Sequence, residues 1–149
     1  MRLLVQRVKK ASVAVDQKII SEIKQGLLVF LGIHAEDNED VIDYLIDKLL
    51  HLRIFEDDQN KMNKSVQDIN GQILLVSQFT LYADCSKGRR PSFVNAKRPD
   101  LAEKIYIEFF KRLKARFEST FEGKFGADMQ IELINDGPVT IILEKSDFK

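Results

Sequence analysis

Two hydroxyls three residues apart, Ser77 and Thr80, flank Gln78 and Phe79 near the end of the apolar run 72–81. Either could attack an activated carbonyl, provided a base stands within hydrogen-bond reach. The chain has two histidines, His34 and His51. His51 falls on the polar side of a helical pattern, and His34 lies just past a strand-like run, with nothing in the spacing that brings it to the hydroxyls. The alternative is that both hydroxyls are satisfied by neighbouring strands. Cys85 has neither a histidine nor a helix start beside it in sequence to activate it, so it reads as structural. With no cysteine pair and no His-x-x-x-His, a tetrahedral nitrogen and sulfur site has nothing to build on, and neither a metal nor another cofactor is expected. Carboxylates are numerous, but none forms an isolated pair in an apolar setting where a shifted acid or base would be legible.

Two other stretches carry chemical information. Residues 83–99 hold Lys87, Arg89, Arg90, Lys97 and Arg98 against one acid, Asp84. Planar guanidinium groups beside an aromatic, Phe93, suit phosphate contact. A solvated charged loop is the other reading. Further on, Asn135-Asp136-Gly137-Pro138-Val139-Thr140 places a residue that tolerates positive φ before one with no N–H donor. Their peptide is an X–Pro bond, the kind that is cis in roughly 5–6% of folded cases. Strand-like runs at 129–134 and 139–143 flank it. It is either a tight turn between two strands or a donor-poor turn that offers two carbonyl oxygens to a ligand.

The elements that must position these residues show in the periodicity. Leu3, Val5, Ala11, Val13 and Val15 lean toward period two, and Asp16-Gln17-Lys18 makes a turn into Ile19-Ile20. Gly26 and Gly32 bracket a continuous apolar run, as in a strand buried on both faces. From Asp40 the period changes: Val41, Ile42, Leu45, Ile46, Leu49 and Leu50 form one helical stripe, with Asp43, Asp47 and His51 opposite. Arg53-Ile54-Phe55 is extended, 57–60 is loop, and Asn70-Gly71 is a turn leading into a long strand over 72–81. Pro99-Asp100 opens a second helix, with Asp100 as its cap and Glu103 in the reciprocal position. Leu101, Ile105, Phe109, Leu113 and Phe117 supply its stripe, Ala102, Tyr106 and Phe110 widen it, and Gly123 stops it. The pattern predicts one α+β domain over 1–149, two main helices covering a mostly antiparallel or mixed sheet that curls toward a barrel.

Bulk composition narrows the class of function. Lys plus Arg equals Asp plus Glu, 23 against 23, so any polyanion site comes from local clustering rather than from a global field. One cysteine excludes an intramolecular disulfide and fits a reducing compartment. The start is broken by polar residues too early for a signal peptide, and no apolar run approaches the roughly 20 residues that span a bilayer. A soluble cytoplasmic protein without a membrane partner is expected.

Four stretches together resemble the D-aminoacyl-tRNA deacylases. They are Val5-Gln6-Arg7-Val8; Val76-Ser77-Gln78-Phe79-Thr80-Leu81; Lys87-Gly88-Arg89-Arg90-Pro91-Ser92-Phe93; and Phe125-Gly126-Ala127-Asp128-Met129 running into 135–140. They stand in the family's order, and the resemblance spans essentially all 149 residues. Gln17-Lys18 departs from the Asp-Gly-like turn expected in relatives, which touches only a surface hairpin.

The resemblance implies a homodimer in which a cis Gly137-Pro138 turn enters the partner's active site. There its two carbonyl oxygens receive the α-amino group of the amino acid on the tRNA 3′ end. No room is left for an L side chain, so D-aminoacyl esters and achiral glycine pass. Substrate contact is thereby assigned to Gly137, Pro138, Gln78, Phe79, Arg7 and Met129, with Arg7 bracing the turn across the interface. Ser77 and Thr80 would line the ester or assist, with strand-end N–H groups polarising its carbonyl. Lys87, Arg89 and Arg90 would hold tRNA phosphates, and the 2′-hydroxyl of the terminal adenosine would help a water attack. Two competitors remain: covalent catalysis by Thr80 or Ser77 on the same substrate, and an RNA-binding module without catalysis.

Overall fold

The computed structural model describes residues 1–146. Its spine is β1 (Arg2–Val15), which the sequence makes long enough to serve three partners. Along one edge its first half pairs antiparallel with β3 (Gly26–Gly32) and its second half with β2 (Lys18–Ile23). Along the other edge it pairs with β8 (Gln130–Glu144) from end to end. The sheet continues from β3 to β6 (Gln72–Ser77) and then β7 (Thr120–Glu122), both joined in parallel. The Ser21 hydroxyl donates to the Glu122 carbonyl at 2.6 Å, tying β2 to β7, so the mixed sheet curls until it is nearly closed. A small ribbon of β4 (Phe55–Glu56) and β5 (Met62–Lys64) stands apart.

Parallel neighbours need a crossover between them. The β3 to β6 crossover carries α1 (Ile42–Leu50), and that from β6 to β7 carries α2 (Pro99–Arg116). Alternation then splits the apolar runs into two cores. Leu27, Val29, Leu31, Ile73 and Leu75 face the helices, while Leu28, Leu74 and Val76 face the inside of the curl with Val8, Val13 and Ile23. This is why β3 and β6 read as continuous apolar runs rather than alternating ones. Gly26 is required by the close parallel pairing, since a Cβ there would lie 1.8 Å from the Gln72 carbonyl oxygen.

Both helices were legible in outline. All six residues of the first helical stripe are buried, Val41 in the 3-10 turn just before the helix and the other five on α1. Its polar face serves α2: Arg112 reaches Asp43 and Glu39 at 3.0 Å each, and Arg116 reaches Asp47 at 3.2 Å. The start of α2 differs from the expected capping box. Arg98 is the N-cap and makes no side-chain cap bond, and Pro99 takes the first turn, where a missing N–H costs little. Asp100 lies inside the helix and pairs with Arg98 instead. Leu101 is 43% exposed and leaves the stripe to Ala102, Ile105, Tyr106, Phe109 and Leu113. Phe117 is the extended C-cap, so the helix ends well before Gly123 and the chain fits in β7 between them.

Two strand expectations also change. The run 72–81 is a strand only to Ser77; Phe79–Tyr82 winds into a 3-10 turn. And the Gly-Pro segment does not reverse the chain. Residues on both sides of it belong to β8 and pair with β1 in one direction. The span of β1 from Gln6 to Val8 faces the span of β8 from Thr140 to Asn135, so three extra residues are thrown out as a large bulge. At the β1–β2 hairpin, Asp16 and Gln17 have φ of 50° and 65°, the twist a two-residue hairpin demands, so Gln17 keeps the turn without a glycine.

Candidate active site

The end of β6 builds one wall of the site. After Ser77, the Gln78 N–H still donates to Leu31 at 2.8 Å, and the chain then tightens, with Leu81 bonding back to Gln78 and Ala83 to Thr80. Arg2 fixes this turn by donating to the Leu81 carbonyl at 2.6 Å, its guanidinium lying 4.8 Å over the Tyr82 ring. Gly32 lets the turn sit against β3: a Cβ there would stand 2.9 Å from Leu81 Cβ. Ser77, Gln78 and Phe79 thereby line a pocket of about 740 Å³, opposite Met129, Phe125 and the first turn of α2. Phe79 is 56% exposed and meets Phe93 edge-on at 5.1 Å, so two aromatic faces stand at the mouth. Most of the lining is apolar, with Lys97, Arg98, Ser77 and Gln78 as the polar exceptions, which suits a flat base or an aromatic side chain.

The candidate nucleophiles separate. Ser77 lines the pocket; Thr80 does not, and its hydroxyl pairs with the Gln78 carboxamide. A carboxamide is no base whichever way it is turned, so this contact leaves the Thr80 hydroxyl unactivated. His34 accepts from the Glu36 N–H through Nδ1 and packs edge-on against Tyr82, and His51 is an exposed partner of Asp47 on α1. Cys85 is exposed on the basic loop. Among the described residues no three His, Cys, Asp or Glu side chains cluster as a metal site would require.

The Gly137-Pro138 peptide is cis, and both residues stand exposed on the bulge, outside the set that lines their own chain's pocket. Arg7 braces the bulge of its own chain from beneath: its Nε donates to the Asp136 carbonyl at 2.8 Å and its Nη1 to the Ile54 carbonyl at 2.6 Å. Arg7 is only 6% exposed, an interior cation whose charge is matched by main-chain oxygens and by Asp136 Oδ2 at 3.9 Å. Gly137 has φ of +147°, and a Cβ there would meet Val139 N at 3.0 Å and Arg7 Nη2 at 3.2 Å, so glycine is required.

The basic loop is pinned at its base by paired bonds between Asp84 and Ser92, 2.8 and 2.9 Å, which leave Lys87, Arg89 and Arg90 exposed at its tip. Lys97 and Arg98 do not join them. Lys97 donates to the Ala35 carbonyl and Arg98 pairs with Asp100, both at the pocket rim.

The family model for D-Tyr-tRNA(Tyr) deacylase matches residues 4–144. This chain belongs to that family. Membership places it among the aminoacyl-tRNA deacylases, which are ester hydrolases. Proteins named D-aminoacyl-tRNA deacylase from Clostridioides difficile and Fusobacterium nucleatum are 54% and 53% identical over 98% and 99% of this chain, covering 98% and 97% of their own lengths. Among solved structures, one described as the c-Myc DNA Unwinding Element Binding Protein is 44% identical with a TM-score of 0.93, over 98% of this chain and 99% of that one. Another, described as a probable eukaryotic D-amino acid tRNA deacylase, shares the fold at 17% identity and a TM-score of 0.85, over 95% of this chain and 97% of that one.

Of the residues that the sequence motifs single out, Ser77, Gln78, Phe79 and Met129 line the pocket, and the Gly-Pro pair stands on the bulge. The motifs did not reveal Arg2, whose contact with Leu81 spans 79 residues of chain, nor the rim set by the α2 start. Nothing local in the sequence signals either.

Proposed function

We propose that the chain hydrolyses the ester of D-aminoacyl-tRNA, and of mischarged glycyl-tRNA, releasing free tRNA and the amino acid. The observation that carries this reading is the division of the site into two halves within one chain. A largely apolar pocket with the Ser77-Gln78-Phe79 wall lies in one place, and the exposed Gly137-Pro138 pair, on a bulge braced by Arg7, lies outside it. A second copy would bring that turn to the pocket's mouth, so the protein works as a homodimer. The turn's carbonyl oxygens take the α-amino group, and the crowding they impose excludes an L side chain.

Chemistry needs little from the protein. The ester is already activated, the terminal adenosine supplies a 2′-hydroxyl next to the scissile bond, and the main-chain N–H of Phe79, just past the last strand bond made by Gln78, polarises the carbonyl. Ser77 lines the ester, and Thr80 holds the Gln78 side chain. Lys87, Arg89 and Arg90 take acceptor-end phosphates. The substrate places the work in the cytoplasm.

The test is to mix the protein with D-tyrosyl-tRNA and L-tyrosyl-tRNA and follow each ester. The D ester should disappear rapidly and the L ester at the buffer rate. Decay of neither would leave a nucleic-acid-binding module without catalysis.

A further inference from the structure

We infer that Asn135 is a positioning residue for stereochemical selection, holding the Gly137 and Pro138 carbonyls in the direction the pocket needs. This rests on the deacylase reading above. The bulge leaves the β1 ladder at Asn135 and rejoins it by Thr140, so its interior lacks strand partners. The Asn135 carboxamide replaces them. Its Oδ1 accepts from the Val139 N–H at 2.7 Å, while Nδ2 donates to the Val139 carbonyl at 3.1 Å and to Thr140 Oγ1 at 3.2 Å. A side-chain amide thus pairs with one residue's main chain on both its donor and its acceptor, as a neighbouring strand would.

This closes 135–139 into a ring with Gly137 and Pro138 at its crest. Arg7 holds the ring from below through Asp136; Asn135 holds its neck. The two clamps act on different residues, so neither replaces the other. The chemistry at position 135 is narrow. Aspartate would keep the bond from the Val139 N–H but lose both donors and set a carboxylate oxygen against the Val139 carbonyl. Glutamine would push the amide one methylene too far. Alanine would leave the neck open.

The experiment measures deacylation of D- and L-tyrosyl-tRNA by wild type, N135A and N135D, with a thermal melt of each. Loss of two or three hydrogen bonds at the neck should lower the ratio of D to L rates by about tenfold while the variants still fold. A fold defect alone would lower both rates together and leave the ratio fixed. A ratio within about twofold of wild type in the folded variants would overturn the inference, whatever the absolute rates, because even one lost hydrogen bond is worth more than that. N135D is nearly isosteric and keeps one bond, so it decides the matter where N135A does not fold. If both variants unfold, Asn135 holds the strand rather than the turn, and the inference fails. Failure of the wild type itself to prefer the D ester would show up separately, as failure of the deacylase reading.

Discussion

Ser77 and Thr80 look alike in sequence and differ in place. Ser77 faces the pocket, and Thr80 is exposed and tied to Gln78. Removing either hydroxyl should therefore cost far less than removing a nucleophile. Single-turnover deacylation by Ser77→Ala should slow by less than about tenfold, and Thr80→Ala by no more than that, whereas a covalent nucleophile would cost several orders of magnitude. At this scale the motif residues were legible because they are local: Gln78, Phe79 and Met129, which the motifs single out for substrate contact, all line the pocket. Arg7 bonds the turn of its own chain, because the registry of β1 against β8 sets the guanidinium beneath Asp136. Asn135 carried a signal only in retrospect: a residue able both to donate and to accept, placed where a bulge loses its ladder.

Secondary elements were most legible where one physical cause dominates. The α1 stripe and the two-faced burial of β3 follow from apolar period alone. The misreadings occur where tertiary contacts override local pattern. The apolar residues after Ser77 suit a strand, yet Arg2 and the close approach of Gly32 fold them into a 3-10 turn. Pro99 starts α2 without help from Asp100. Glycine and proline in β8 suggest a reversal, but β1 continues past them and holds both halves.

At the seam where β7 meets α2, burial holds the Glu122 carboxyl above its ordinary pKa, opposed in part by the neighbouring Tyr106 hydroxyl. A folded pKa above the unfolded value means that this group's contribution is fully present at pH below the unfolded value. It is lost as pH rises through the folded one. Glu122→Gln should therefore melt above wild type at neutral pH, and the gap should close as pH falls below about 4. A gap that does not change with pH, or a wild type that melts higher at pH 7, would contradict that assignment.

For the whole molecule, zero net charge leaves the proposed tRNA attraction to local clusters, of which Lys87, Arg89 and Arg90 form one at an exposed loop tip. Replacing all three with alanine should weaken tRNA binding. It should also flatten the slope of log affinity against log salt by about 2, near 0.7 per lost phosphate contact on a single strand. An unchanged slope would remove the loop from the interface.

The central claim is that one chain's turn completes the other chain's pocket, and mixed dimers test it most directly. One variant, Ala127→Trp, fills its own pocket and keeps its turn; another, Gly137→Val, spoils its turn and keeps its pocket. Each alone should fail to clear the D ester selectively. Unfolded together and refolded as mixed dimers, they should regain one intact site per heterodimer, with D-tyrosyl-tRNA hydrolysed and L-tyrosyl-tRNA spared. If mixing restores nothing while both variants remain folded, the turn does not serve the partner's pocket and the account is wrong.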